Sequence, residues 1–256
     1  METNKRKIFD SHLHIIDSRF PLIANNGYLP NEFTCDDYLN CMEGYQLIGG
    51  AIVSGSFQSF DQTYLINALQ KLGSSFVGVT QLPENVSDEE IIRLDNAGLR
   101  AIRFNIFRGG SENIKHLDSM ALRVYELVNW HVELYVDSKE LDDLYSILSS
   151  LPKICIDHLG FSKEGFNTVL KLAEQGCHIK VTGFGRVNFD IPTVLVELNS
   201  ANPESLVFGT DLPSTRAKRP YRHCDCELVI ESLGEKNGQS VLYENAIHLY
   251  RPMNVS

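Results

Sequence analysis

No stretch of this sequence reaches the eighteen or so consecutive apolar residues that a membrane-spanning helix requires, so no membrane partner is expected. The opening Met-Glu-Thr-Asn-Lys has no apolar core of the kind a secretory signal carries, and the six cysteines include no C-x-x-C pair. A reducing cytoplasm is therefore the expected compartment. The closest cysteines, Cys224 and Cys226 beside His223, read as ordinary thiols at a helix start rather than as a metal site. Basic charge is scarce: 23 Lys and Arg stand against 33 Asp and Glu, a net charge of -10. Such a field repels nucleic acid and anionic membrane, so an anionic substrate needs a local basic pocket. No proline- or glycine-rich linker interrupts the 256 residues, and 43% apolar content can bury one large core, which suggests one domain over residues 1–256.

What the sequence does have is alternation. Eight short β-type runs stand out: 7–16, 49–57, 75–82, 99–107, 131–138, 153–160, 177–184 and 206–213. Amphipathic stretches lie between and after them, at 36–48, 60–72, 87–98, 114–130, 139–151, 164–176, 191–201, 224–236 and 238–251. Ser87 before Asp88-Glu89-Glu90 and the glycines Gly98 and Gly176 punctuate helix ends. Strands alternating with helices predict parallel strands joined by right-handed crossovers, and eight such units close a (β/α)8 TIM barrel. The fold class is thus α/β, a single (β/α)8 TIM barrel.

In such a barrel the C-terminal strand ends share one mouth. Following each run to its end brings together His12 and His14, Arg103 and Asn105, Tyr135 and Asp137, His158, Thr182 and Arg186, and Asp211. In "FDSHLHII" (9–16), period-two alternation would place Asp10, His12 and His14 in one polar row. Arg216, Lys218, Arg219 and Arg222 lie on a loop beyond the eighth run; they read equally as a lure for anions or as a solvated loop or oligomer contact.

The H-x-H of that first run, "GLRAIRFN" on the fourth, "IDHLG" on the sixth, "IKVTGFGR" on the seventh, "FGTDLP" on the eighth and "ENAIHLYR" near the end resemble, in order, the amidohydrolase superfamily. The nearest branch is similar to 2-pyrone-4,6-dicarboxylate lactonase and other TIM-barrel hydrolases predicted to be metal-dependent. Ser214 departs from the pattern, in which a histidine often follows the apolar-Pro pair. The superfamily usually holds one or two divalent ions on the first-strand histidines, a fourth-strand Lys or Glu, histidines on the fifth and sixth strands and the eighth-strand Asp. Here Arg103 stands on the fourth strand, and a guanidinium cannot ligate a cation. The fifth strand's only histidine, His131, opens it, away from the mouth.

The lactonase branch implies a reaction that requires no cofactor. Asp211 activates water as general base while His12, His14 and His158 polarise the scissile carbonyl. Arg103, Arg108 and Arg186 bind carboxylates of a small substrate, and Tyr135 donates a further hydrogen bond. The main alternative is a mononuclear Zn-dependent amidohydrolase or decarboxylase with the cation on His12, His14 and Asp211. A metal-dependent DNase of the superfamily is disfavoured by the missing fourth-strand Glu and the acidic charge. A non-catalytic barrel that binds a small carboxylate is the reading from a different class.

Overall fold

The apolar runs form strands because each is buried on both faces, with side chains pointing alternately into the barrel and out toward the helices. The computed structural model describes residues 5–254. Its strands are β1 (Lys7–Leu13), β2 (Gln46–Val53), β3 (Phe76–Thr80), β4 (Leu99–Asn105), β5 (His131–Tyr135), β6 (Ile154–Ile156), β7 (His178–Val181) and β8 (Leu206–Phe208). They pair in parallel, in chain order from β1 to β8. Between Asp211 and His12 the backbone N–H donates to the carbonyl at 2.7 Å, and from His14 to Leu212 at 2.8 Å, which ties the two edges together at the mouth. The (β/α)8 barrel expected from the alternation is the fold.

Helices α1 (Cys35–Met42), α2 (Thr63–Leu72), α3 (Asp88–Asn96), α4 (Leu117–Val128), α5 (Leu141–Leu148), α6 (Phe166–Glu174), α7 (Ile191–Ala201) and α8 (His223–Gln239) follow the strands, and α9 (Asn245–Tyr250) ends the fold. Thr34 and Asp37 cap α1 reciprocally, Ser87 accepts from the Glu90 N–H, and Asp190 accepts from the Thr193 N–H, so each of these helices starts where a short polar side chain satisfies a free donor. The expected first helix overran: Gln46–Ile48 belong to β2, whose apolar residues enter the barrel wall.

Two apolar layers result. One fills the space between sheet and helices; the other fills the barrel with Phe9, Val53, Val77, Val79, Ala101, Cys155 and Val207, closed from below by Leu249 and Tyr250 of α9. Two sequence expectations fail on backbone geometry. The sixth and eighth runs stop at Ile156 and Phe208, so His158 opens a 3-10 turn (His158–Gly160) and Asp211 is a loop residue, with φ of 53° and 61° that no strand can hold. In β1 the register slips between Asp10 and Leu13, and this bulge breaks the alternation. His12 and His14 turn to the mouth, but Asp10 does not join them: its carboxylate accepts from Thr210 and from Tyr38 of α1.

Candidate active site

The bulge in β1 and the tight turn after β8 bring His12, His14 and Asp211 face to face. Gly209 makes the approach possible, because a Cβ there would lie 2.7 Å from the His12 nitrogen. Gly183 does the same for His158: it has φ of +66°, and a Cβ would lie 2.6 Å from His158 Nδ1. Asp211 Oδ1 then sits 3.9 Å from His12 Nε2, 3.8 Å from His14 Nε2 and 4.0 Å from His158 Nε2, without a hydrogen bond of its own. The other oxygen, Oδ2, accepts from Arg186 Nε at 2.8 Å and lies 2.7 Å from Nη2 of the same guanidinium in an ion pair. All four predicted catalytic side chains therefore meet at one point.

Burial disfavours the charged form of all three imidazoles. Burial holds His14 and His158 well below the ordinary histidine value, aided by His12 and Arg103 beside His14 and by Arg186 beside His158. His12 is lowered by burial and by the Lys180 charge, with Asp157 opposing. His14 Nδ1 lies 2.7 Å from the Val53 carbonyl, which can only accept, so Nδ1 carries the hydrogen and Nε2 the lone pair.

The arginines divide by task. Arg186 is bound to Asp211 and to the Thr215 carbonyl rather than facing the mouth freely. Arg103 is buried and donates to Asp157 Oδ2 at 2.7 and 3.1 Å and to the Ser54 carbonyl at 2.9 Å. Arg108 is half-buried and reaches the Tyr135 hydroxyl with Nε at 3.2 Å, leaving the phenol hydrogen free to donate elsewhere. A small cleft opens beside His14, lined also by Tyr28, Arg103, Arg108, Tyr135 and Arg216 among others and by no carboxylate side chain, while His12, His158 and Asp211 are buried and do not line it. Arg216, which stacks 4.2 Å over Tyr28 and donates to Asn25, brings one member of the basic loop to the mouth. Arg219 instead pairs with Asp225 at 2.8 Å. Asn105 lines the cleft and accepts from the Arg108 N–H, whereas Asp137 starts a helical turn by accepting from Lys139. Cys226 is buried and Cys224 exposed, so they do not converge on one ion.

Sequence reasoning missed the polar layer beneath the histidines. Glu133, Asp157 and Lys180 are fully buried there. Lys180 Nζ is 2.5 Å from Glu133 Oε2 and 3.4 Å from Asp157 Oδ1, and Tyr250 donates to Glu133 Oε1 from below. Burial alone would raise Glu133, yet the Lys180 ammonium draws it down to about 2. Asp157 is likewise held well below the carboxylate range, against burial, by Arg103 and Lys180. A charged residue in mid-strand, Glu133 in "HVELY" and Lys180 in "HIKV", was the available signal. His131 sits lower still, 3.3 Å from Glu133, at the end away from the mouth as its place in β5 implies.

The ligand-type atoms of His12, His158 and Asp211 lie within 4.8 Å of one another, a spacing a divalent cation could bridge. This compact group contains His158 where the expected ligand set had His14. Two features fit a cation less well. The separations of 3.8–4.0 Å from Asp211 Oδ1 exceed the roughly 3.3 Å edge that zinc–ligand bonds of about 2.0 Å set in a tetrahedron. His12 Nδ1 also lies 3.1 Å from the Lys180 ammonium, a contact that places its ring hydrogen on the atom facing Asp211.

Comparison with known proteins places the chain among relatives of full length. A model of the amidohydrolase family matches residues 9–251. A protein of Comamonas testosteroni named 2-pyrone-4,6-dicarboxylate hydrolase is 23% identical over 279 residues, covering 96% of this chain and 90% of that protein. Among solved structures, a probable 2-pyrone-4,6-dicarboxylic acid hydrolase of Acinetobacter baumannii with citric acid bound superposes with a TM-score of 0.80 at 22% identity, covering 95% of this chain and 99% of that one. A protein of Agrobacterium tumefaciens in apo form gives 0.83 at 20% identity, with 96% of each chain covered. These likenesses in structure bear on the fold.

Proposed function

This chain belongs to the amidohydrolase family and is a hydrolase, and we propose that its substrate is a small carboxylated lactone or related ester. The observation that carries this reading is the partner-free Asp211 Oδ1, faced by three imidazole Nε2 atoms, one of them from His14, which also lines a cleft with three arginines and no carboxylate. The names of the Comamonas testosteroni and Acinetobacter baumannii relatives support a lactone dicarboxylate as the kind of substrate.

In the proposed reaction Asp211 Oδ1 takes a proton from water as the water oxygen bonds to the lactone carbonyl carbon. Arg186 keeps Oδ2 occupied and so aims Oδ1 at the water. An imidazole N–H of His12 or His158 donates to the carbonyl oxygen as it gains charge, in a site from which bulk water is excluded. The ring C–O bond then breaks, and the leaving oxygen recovers the proton. Arg103, Arg108, Arg216 and the Tyr135 hydroxyl orient the substrate's carboxylates, with Arg103 contributing the donors that Asp157 and Ser54 leave free. Neutral imidazoles suffice for an ester with a stabilised leaving group, whereas an amide would call for stronger electrophilic help.

Asp211→Asn keeps the shape and removes the base, so kcat on the best lactone of a carboxylated panel falls by about 10³-fold, while binding persists. Retention of activity within tenfold, or no turnover of any panel member by the wild type, overturns the reading. The donor types of His12, His158 and Asp211, two imidazoles and a carboxylate gathered in one group, support a second reading, a mononuclear divalent cation held by those three once their separations shorten. Stoichiometric metal in the purified protein, with activity lost on chelation and restored by the metal, selects it.

A further inference from the structure

One group of ligand-type side chains in the barrel is already occupied by a cation that belongs to the chain. His12, Glu133 and Asp157 offer atoms within 4.8 Å of one another, and Lys180 Nζ stands among them, 3.1 Å from His12 Nδ1, 2.5 Å from Glu133 Oε2 and 3.4 Å from Asp157 Oδ1. An ammonium has three donors and no acceptor. Toward His12 it can only donate, so Nδ1 supplies a lone pair and the hydrogen of the neutral ring sits on Nε2, the atom that faces Asp211. Asp157 competes for the same nitrogen, with Oδ1 3.3 Å away. Had it prevailed, Nδ1 would carry the hydrogen and Nε2 would be free to ligate. Asp157 Oδ1 makes no hydrogen bond, however, whereas the Lys180 contact does. The charges around the ring also balance without His12: Lys180 and Arg103 offset Glu133 and Asp157, so a cation added at Nε2 would enter a buried cluster already neutral.

We infer that Lys180 is a positioning residue that locks His12 in the Nε2–H tautomer and thereby splits the H-x-H pair into one hydrogen-bond donor, His12, and one lone-pair bearer, His14. The pair is then matched to holding a carbonyl and a water rather than to clamping an ion. The inference concerns tautomer and metal preference, and it stands whichever ester is cleaved.

The test uses the full-length protein labelled with 15N-histidine, with the His12 resonances identified by their loss in His12→Gln. Long-range 1H–15N spectra of the wild type show a pyridine-like Nδ1 and a pyrrole-like Nε2 at His12; the reverse pattern overturns the inference. The charge-balanced double variant Lys180→Met with Glu133→Gln, compared with wild type by zinc titration against a chromophoric chelator, releases the lock. His12 moves to the Nδ1–H form on Asp157, and zinc affinity rises at least tenfold. Lys180→Arg, which still only donates, keeps the wild-type tautomer. An unchanged His12 pattern and zinc affinity in the folded double variant overturn the inference, and if that variant does not fold, the wild-type spectrum decides alone. Neither readout uses a substrate, so failure of the proposed ester hydrolysis is distinguishable from failure of the lock.

Discussion

At the scale of the residue, identical side chains have different work because their partners differ. Arg186 and Arg103 were both expected to hold substrate, but Arg186 is bound to Asp211 and Arg103 to Asp157, so the freer guanidinium groups are Arg108 and Arg216 at the rim. Arg216 lies far along the chain from Arg103 and Arg108, and its stacking on Tyr28 and its bonds to Asn25 hold it over the cleft. A rim cation that binds a substrate carboxylate without touching the reacting bond contributes equally to ground and transition states. Arg216→Gln is therefore expected to raise KM for a dicarboxylated lactone by tenfold or more with kcat nearly unchanged, and to leave KM for a monocarboxylated analogue within threefold. Steady-state kinetics on the two substrates checks the difference, and an equal change on both would count against a carboxylate role for Arg216.

At the scale of the element, the site is made by interruptions of regular structure. The eight strands were legible because their apolar runs are long and repeat, but their ends were not. The loops after β6 and β8 keep an apolar, strand-like composition through "IDHLG" and "FGTDLP" while the backbone leaves the β region at His158 and Asp211. The β1 bulge was hidden for the same reason: period-two reading cannot register one extra residue, yet that residue sends Asp10 to Tyr38 and His12 to the mouth. Gly209 shows how tightly these pieces fit. A methyl group there would meet His12 N at 2.7 Å and His12 Cβ at 2.8 Å, contacts that force backbone to move. Gly209→Ala is expected to destabilise the protein by about 1–3 kcal/mol, read as a lower denaturant midpoint, and to cut activity beyond that loss by displacing His12. Wild-type stability in this variant would mean that the β1–β8 seam accommodates a methyl group at this position.

At the scale of the whole molecule, a buried charged layer sits between the apolar plug of Phe9 and Tyr250 and the mouth above. Its carboxylates give the fold a defined acid sensitivity. Glu133 is lowered to about 2 from the ordinary 4.5. A carboxyl depressed in the folded state contributes stability that is present above its unfolded value and is lost as pH falls toward the folded one. For Glu133 the window runs from 4.5 down to about 2. Urea unfolding followed from pH 5 to 3 should show stability falling with acid, with a shallower slope in Glu133→Gln; equal slopes would remove Glu133 from the account. The sequence by itself determined the alternation, hence the barrel, and the order of motifs, hence the family, because periodicity and short motifs are local properties of the chain. Which arginine meets the base, which histidine nitrogen carries the hydrogen, and that Lys180 lies beneath His12 were decided only by the tertiary structure, since these depend on distances between residues up to 168 positions apart that closure of the barrel alone sets.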